Sequence, residues 1–471
     1  MAEIRFGTDG WRALIGDTFT YDNVARISRA TARWLRSRHQ NGTPEVLIGY
    51  DARFQGAAFA RHAARAFGSE GVRVVLSDAI VTTPAVSWGA KHYELDAGIV
   101  ITASHNPPSY NGFKIKGSYG GPATPAMIRE VERELDELGL NIPLKTYEAL
   151  DRDGFMELRD IRSAYLAELG ELLDLDALKK WGKKIAHDAM FGASQGHISQ
   201  LLGSNQVVEL HAEHNPGFHG VPPEPIEKNL SDLAQCVTEF GCAAGLANDG
   251  DGDRIGMFDE NGRYVSSHEL LALLVQYLHE DRGLNGSIVK TFSTTHMLNK
   301  MAEAYGLPIE TTPIGFKYIA PKMLESDVLV GGEESGGIAV KGHVPERDGI
   351  YIGLLIVEMM VKRGQPLSAL VWALHDEFGP HRTFRIDLHT SEEKKRAALD
   401  RLEAEEGLDT IAGQPVHSLN TLDGYKHLTD DGWLLVRPSG TEPVLRVYSE
   451  APTEEAAEAL VRDAIDQLGV G

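Results

Sequence analysis

The chain has 471 residues, enough for about three domains of roughly 150 residues each with room for a small fourth. Its 42% hydrophobic and 24% charged residues are those of a soluble globular protein, which excludes a disordered or fibrous chain. A formal charge of −22 argues against nucleic acid and anionic membranes as partners, because no basic surplus exists to neutralise a phosphate polymer.

The N-terminal MAEIRFGTDGWRA lacks the apolar core of a signal peptide, and Phe6-Gly7-Thr8-Asp9-Gly10-Trp11-Arg12 reads as a Gly-rich set of turns carrying one arginine. From Asp22 to His39, Val24, Ile27, Ala30, Trp34 and Leu35 follow a helical period, and Val46 to Tyr50 reads as a buried strand. Helix then strand repeats at Ala57 to Phe67 and Val72 to Leu76. Gly98 to Ile101 is another buried strand, broken by Thr102-Ala103-Ser104-His105-Asn106-Pro107-Pro108, where neither strand nor helix can continue. The break leaves Ser104 at a strand's carboxyl end, the side on which open α/β sheets bind ligands, so its hydroxyl is well sited as a nucleophile or phosphate carrier. Taken alone, a serine before Asn-Pro is better explained as a turn residue. Lys114 follows beyond Tyr110-Asn111-Gly112, so a second charged group can return to the same cleft. Thr124-Pro125 opens a helix with Met127, Ile128, Val131, Leu135 and Leu138 as apolar positions and Gly139 as its stop. The alternation is that of an α/β protein.

Asn141 to Gly154 loses periodicity and gains turn residues and charge, which places a first α/β domain at 1–148. A second, 149–256, has strands at Ile185 to Met190, Val207 to His211 and Ala243 to Ala247, the last running directly into Asn248-Asp249-Gly250-Asp251-Gly252-Asp253-Arg254. Its cysteines, Cys236 and Cys242, are the only two in the chain and support neither a disulfide framework nor a cysteine zinc site, so a reducing cytoplasm is the expected location. A third domain, 257–376, has strands at Ser287 to Thr291 and Val328 to Val330, with Gly331-Gly332-Glu333-Glu334-Ser335-Gly336-Gly337 behind the second. The longest apolar stretch, Gly349 to Val361, is interrupted by Glu358 and falls short of the ~20 residues that span a bilayer. Phe378-Gly379-Pro380 then breaks the chain, and 377–471 forms a smaller unit in which Trp433 to Val436 precedes Arg437-Pro438-Ser439-Gly440-Thr441 and a Thr453-capped helix runs towards the end. Four units each end an apolar strand in a loop rich in glycine and polar groups, and these loops are expected to face one cleft.

Asp249, Asp251 and Asp253 project from one tight turn, a density of negative charge that a hard cation relieves. An EF-hand fits at positions 1, 3, 5 and 12, with Glu260 last, but fails at position 6, where Arg254 replaces the required glycine. Three carboxylates leave coordination positions open, which suits Mg²⁺ bridging to a phosphate better than a closed calcium cage; a solvated acidic turn is the remaining alternative. Arg437, Ser439, Thr441 and the amides around Gly440 collect donors for a phosphate monoester. Glu333 and Ser335 are acceptors that can hold vicinal sugar hydroxyls, although an exposed acidic turn looks the same in isolation.

In this order, and from Phe6-Gly7-Thr8 to the end, the motifs resemble the α-D-phosphohexomutase family. Thr102 to Pro107 is similar to its phosphoserine loop, Asp249 to Arg254 to its metal loop, Gly332 to Gly336 to its sugar loop, and Arg437 to Thr441 to its phosphate loop. The resemblance implies three similar α/β domains and a smaller C-terminal α+β domain around a central cleft. It implies that Ser104 carries a phosphoryl group and joins Asp249, Asp251 and Asp253 around Mg²⁺. Lys114 is then the general acid/base, with Arg12 and His105 in the catalytic group. Arg254, Lys317, Glu333, Ser335, Arg437, Ser439, Gly440 and Thr441 are the expected substrate contacts. Glu333-Glu334-Ser335 with Gly315-Phe316-Lys317 is similar to the phosphoglucomutase branch. Phosphoglucosamine mutases typically carry Gln in place of Glu334. Dual phosphomannomutase/phosphoglucomutase enzymes often carry His where this chain has Gly337 and Phe316, which counts against mannose activity. The activity implied is exchange of phosphate between C1 and C6 of glucose through a 1,6-bisphosphate, with small-molecule hexose phosphates as partners and neither nucleic acid nor membrane among them. A metal-dependent phosphatase leaves the sugar and distal phosphate loops unexplained, and a calcium-stabilised binding protein leaves Ser104 and Lys114 without a role.

Overall fold

The structure is a computed structural model that describes residues 4–7, 9–39, 42–138, 143–404, 407–438 and 444–471. The chain divides into two units, residues 1–285 with 315–370 and residues 286–314 with 371–471.

The first unit begins with six strands, β1 (Trp11–Leu14), β2 (Glu45–Tyr50), β3 (Arg73–Ser77), β4 (Ala97–Ile101), β5 (Tyr110–Gly117) and β6 (Met156–Arg159), in the order β1-β5-β4-β2-β3-β6. Strands β4, β2, β3 and β6 run parallel, while β5 returns antiparallel to β4 and β1 antiparallel to β5. Helices α1 (Tyr21–Arg38), α3 (Thr83–His92) and α4 (Pro125–Asp136) alternate with the strands, as does α2 (Gly56–Ser69). Thr20, Thr82 and Thr124 cap three of them by accepting from the amides of Asn23, Ala85 and Met127. The helical period seen in the sequence is a burial stripe: Val24, Ile27 and Trp34 of α1 pack in one core with Val46, Ile48, Ile99 and Ile101. The Phe6 to Arg12 segment differs from a pure turn, because Trp11 and Arg12 already belong to edge strand β1. The sheet takes its last strand, β6, from beyond the boundary expected at residue 148.

A second sheet repeats the plan with β7 (Ile185–Asp188), β8 (Val207–Leu210), β9 (Ala244–Asn248), β10 (Ile255–Asp259) and β11 (Tyr264–Val265), in the order β11-β10-β9-β7-β8. Strands β8, β7 and β9 are parallel, and β10 and β11 antiparallel. Cys236 and Cys242 are buried free thiols in its core. Further along, β12 (Val328–Gly332) is followed by its antiparallel neighbour β13 (Ile338–Val340). The long apolar stretch is helix α5 (Gly349–Arg363), capped by Asp348 and buried along most of its length. Its Glu358 is tolerated because Arg282 and Tyr277 donate to it, as does the Asp174 amide.

In the second unit Ser287–Thr291 and Ile309–Thr312 pair in parallel. An antiparallel sheet of Arg382–His389, Val444–Ala451, Trp433–Pro438, Tyr425–Leu428 and Ser418–Asn420 packs against helix Glu454–Leu468, whose cap Thr453 accepts from the Ala456 amide. One device recurs: β4 and β5, β9 and β10, β12 and β13, and Trp433–Pro438 and Val444–Ala451 are each an outgoing strand paired with an antiparallel return strand.

Candidate active site

Ser104 leaves β4 in a left-handed conformation, φ 52°. Its Oγ donates to Asp249 Oδ2 at 2.7 Å and lies 3.3 Å from His105 Nδ1. Gly250 permits this meeting of loops, since a Cβ there would stand 2.4 Å from the Ser104 carbonyl oxygen. Burial, with Arg254 and Arg12 nearby, holds His105 well below the usual imidazole range, so its ring is neutral.

Asp249, Asp251 and Asp253 are fully buried, with one oxygen of each within 4.8 Å of the others. Asp249 Oδ1 accepts from the amides of Asp253 and Arg254 at 3.0 and 3.1 Å, which fixes the turn. Asp251 Oδ2 accepts from Thr83 Oγ1 and from Lys114 Nζ at 2.7 Å; Asp253 Oδ2 accepts from Lys114 at 3.2 Å and Arg347 at 2.7 Å. Burial and the charges of Asp251 and Asp253 push Asp249 well above the usual carboxylate range. Burial would raise Asp251 as well, but Lys114 and the Thr83 hydroxyl outweigh it and hold Asp251 below that range. The same contacts act on Lys114, where burial is overcome by Asp251, Asp253 and Asp9 and the ammonium is held charged. Strand geometry explains how a lysine reaches this position. Alternation along β5 sends Phe113 and Ile115 into the core and Lys114 and Lys116 to the opposite face.

The loop from β12 to β13 is clipped to the Asp loop. Gly336, at φ +84°, accepts from the Ile255 amide at 3.2 Å, and a Cβ there would meet the Ile255 carbonyl at 2.4 Å. Glu333, 6% exposed, faces Arg347 at 3.5 Å. Burial pushes its carboxyl up to about 7 against the pull of Arg347. Ser335 Oγ is buried with no hydrogen-bond partner, so an acceptor and an unsatisfied hydroxyl share one loop.

Of the other expected residues, Arg12, Arg254 and Lys317 belong to the same unit as this network. Arg12 Nη1 donates to Asn106 Oδ1 at 2.6 Å, joining β1 to the Ser104 loop. Arg254 lies 3.5 Å from Glu224. Lys317 lines a cavity of about 190 Å³ together with Asp9, Ile115, Ile128 and Arg129. Arg437 belongs to the second unit, at the end of Trp433–Pro438, with its Nε 3.0 Å from Asp423 Oδ1. Ser439, Gly440 and Thr441 lie outside the described residues.

The family description "phosphoglucomutase/phosphomannomutase" matches nearly the whole chain. Alpha/beta/alpha domains I, II and III match residues 3–141, 163–262 and 266–378, and the C-terminal domain matches 388–467. The chain belongs to this family. It is 32% identical to a phosphoglucomutase/phosphomannomutase of Thermococcus kodakarensis over 98% of both chains. It is 31% identical to a phosphoglucosamine mutase of Leuconostoc mesenteroides over 96% of this chain and 95% of that one. The crystal structure of a Thermus thermophilus protein with a provisional phosphomannomutase name shares 34% identity and a TM-score of 0.87, covering 99% of each chain. This phosphohexomutase is therefore an isomerase of carbohydrate metabolism with three α/β/α domains and a C-terminal domain. Among its described residues no helix is long and apolar enough to cross a membrane.

In the phosphohexomutase the Asp loop fits a metal on its own geometry. Asp251 Oδ1 and Asp253 Oδ1 are buried without a hydrogen-bond partner, and such oxygens cost free energy that a hard cation removes. Sequence reasoning missed Asp9 and Arg347. Asp9 reads as a turn residue but reaches Lys114 at 2.7 Å and also pairs with Arg347. Arg347 thus connects the N-terminal loop, the Asp loop and Glu333. The available signal was Pro345-Glu346-Arg347-Asp348-Gly349, a charged run directly before an apolar helix.

Proposed function

We propose that the enzyme interconverts α-D-glucose 1-phosphate and glucose 6-phosphate through a phosphoserine at Ser104 and a glucose 1,6-bisphosphate. The observation that carries this reading is the contact of Ser104 Oγ with Asp249 inside a buried carboxylate group whose outer oxygens lack partners. Ser104, Asp249, Asp251 and Asp253 would hold Mg²⁺. When bound, Mg²⁺ supplies positive charge that offsets the phosphoryl oxygens.

In the forward transfer a sugar hydroxyl oxygen forms a bond to phosphorus as the bond from phosphorus to Ser104 Oγ breaks. Charged Lys114 gives its proton to Ser104 Oγ as that bond breaks and, so made neutral, takes the proton of the sugar hydroxyl. Its carboxylate contacts start Lys114 in the charged form, ready to donate. Arg12 and neutral His105 border the serine. Glu333 and Ser335 orient sugar hydroxyls, while Arg254 and Lys317, and in the second unit Arg437, Ser439, Gly440 and Thr441, grip phosphate. The bisphosphate then turns end for end and returns its other phosphate to Ser104.

Glucose is read from this chain's own residues. Arg347 stacks over Phe316 at 5.4 Å, and a Cβ at Gly337 would stand 2.4 Å from Arg347 Cδ, so a histidine at position 337 conflicts with Arg347 where it stands. A dual phosphomannomutase/phosphoglucomutase is the alternative, favoured by the name of the Thermococcus kodakarensis relative. Buried free thiols support a cytoplasmic location, and hexose phosphates are the expected partners. The test incubates purified protein with Mg²⁺ and glucose 1-phosphate, mannose 1-phosphate or glucosamine 1-phosphate and follows both the 6-phosphate and free phosphate. Glucose 6-phosphate should dominate. Free phosphate as the main product makes the protein a phosphatase, and equal kcat/KM on mannose 1-phosphate makes it dual.

A further inference from the structure

Arg53 is 2% exposed, yet its guanidinium donates hydrogen bonds only to main-chain carbonyls. Nη2 donates to the oxygens of Ser104 and Asn106, both at 2.6 Å, and Nη1 to those of Pro107 at 2.9 Å and Tyr110 at 3.0 Å. Its Nε lies 3.2 Å from Asp51 Oδ2. That same carboxylate oxygen accepts from Thr102 Oγ1 at 2.5 Å, and Thr102 Oγ1 in turn accepts from the Ser104 amide at 2.8 Å. The carbonyl of Ser104 is therefore held by Arg53, and its amide by Thr102, from one buried ion pair. The Phe218 ring covers the guanidinium at 5.0 Å. Such a circuit is what an L-residue at φ 52° requires, because the left-handed region is unfavourable for serine without bonds that over-determine it.

We infer that Asp51, Arg53 and Thr102 form a positioning clamp that holds the Ser104 backbone left-handed and so aims its Oγ at Asp249. The inference rests on Ser104 being the phosphoryl carrier. None of the three residues is a proposed sugar or phosphate contact, so the clamp acts on the reacting geometry and not on hexose phosphate binding.

Thr102 gives the sharpest test, because its hydroxyl and its methyl can be removed separately. Thr102→Val keeps volume and deletes the acceptor of the Ser104 amide; Thr102→Ser keeps the acceptor and deletes a methyl. The clamp predicts that Thr102→Val lowers kcat about ten- to a hundredfold, the scale of a misplaced reacting group, with KM for glucose 1-phosphate within about twofold. Thr102→Ser should restore kcat to within about threefold of the parent. A packing role predicts the reverse order, with valine tolerated and serine impaired. Arg53→Lys keeps the charge but cannot span four carbonyls, and should behave like Thr102→Val in single-turnover transfer from glucose 1,6-bisphosphate to Ser104. Ser104→Ala is the control that separates the two readings. If it turns over like the parent, the phosphoserine reading falls. If it is inactive while Thr102→Val retains parental kcat, or changes only KM, or Thr102→Ser is the more impaired, the clamp is wrong and the phosphoserine reading stands.

Discussion

Replacing Glu333 by glutamine should make the enzyme more stable at neutral pH and less active, and the first effect has a sign and size set by burial. The Glu333 carboxyl titrates at about 7 in the folded protein, against an ordinary 4.5. Between those values the unfolded chain has released the proton and the folded chain still binds it, so this group's contribution to stability falls as pH rises through the window and is constant above it. The difference amounts to about 3 kcal/mol at pH 7.5. Glutamine has the shape of the neutral acid and carries no such penalty. Urea unfolding of Glu333→Gln and parent should therefore coincide near pH 4 and diverge by up to about 3 kcal/mol by pH 7.5, with the variant the more stable. Mutase assays on the same samples should show lower kcat/KM, since the charged acceptor for a sugar hydroxyl is gone. A stability difference that does not vary with pH, or a variant less stable at pH 7.5, would show that Arg347 at 3.5 Å holds the Glu333 carboxylate ionised and that the argument from burial is wrong.

Three other outcomes test the proposed function. Asp251→Asn removes one charge from the proposed metal group and should raise the Mg²⁺ concentration for half-maximal activity about tenfold or more, measured by Mg²⁺ titration of initial rates. Gly250→Ala places a Cβ 2.4 Å from the Ser104 carbonyl oxygen, so the two loops must part; a loss of about 1–3 kcal/mol in urea unfolding together with a collapse of kcat is expected. Arg437→Ala should lower kcat/KM about ten- to a hundredfold and make turnover depend on added glucose 1,6-bisphosphate, because the intermediate escapes more often; progress curves with and without the bisphosphate check both.

The outgoing strands and their loops were legible in the sequence because each combines a short apolar run with turn residues. Gly98 to Ile101, Ala243 to Ala247, Val328 to Val330 and Trp433 to Val436 all became strands, at β4, β9, β12 and Trp433–Pro438. The helix caps at Thr124 and Thr453 were equally readable, since a threonine ahead of an apolar period has a local cause and a local effect. The return strands were not. In Tyr110–Gly117 the alternation Phe113, Lys114, Ile115, Lys116 is a strand pattern, but Asn111-Gly112 reads locally as a turn, and charged residues normally signal a solvated face. Here that face is buried against Asp9, Asp251, Asp253 and Glu346, so the pattern's meaning depends on partners more than a hundred residues away.

The same dependence explains why Arg347 and Asp9 escaped notice while Ser104 and the Asp triplet did not. A loop motif concentrates several functional groups within a few residues, and its chemistry can be argued from spacing alone. A buried ion pair distributes its two halves over the chain, and each half looks like an ordinary surface charge until the fold joins them. The return strands are what joins them: β5 carries Lys114 back from the Ser104 loop to Asp251 and Asp253, and Ile255 at the start of β10 clips the Asp loop to Gly336. An outgoing strand therefore presents a reactive loop, and its antiparallel neighbour secures that loop to the next. The first half of each such unit is written in local pattern, and the second half shows in the sequence only where a charged residue alternates with core residues at period two.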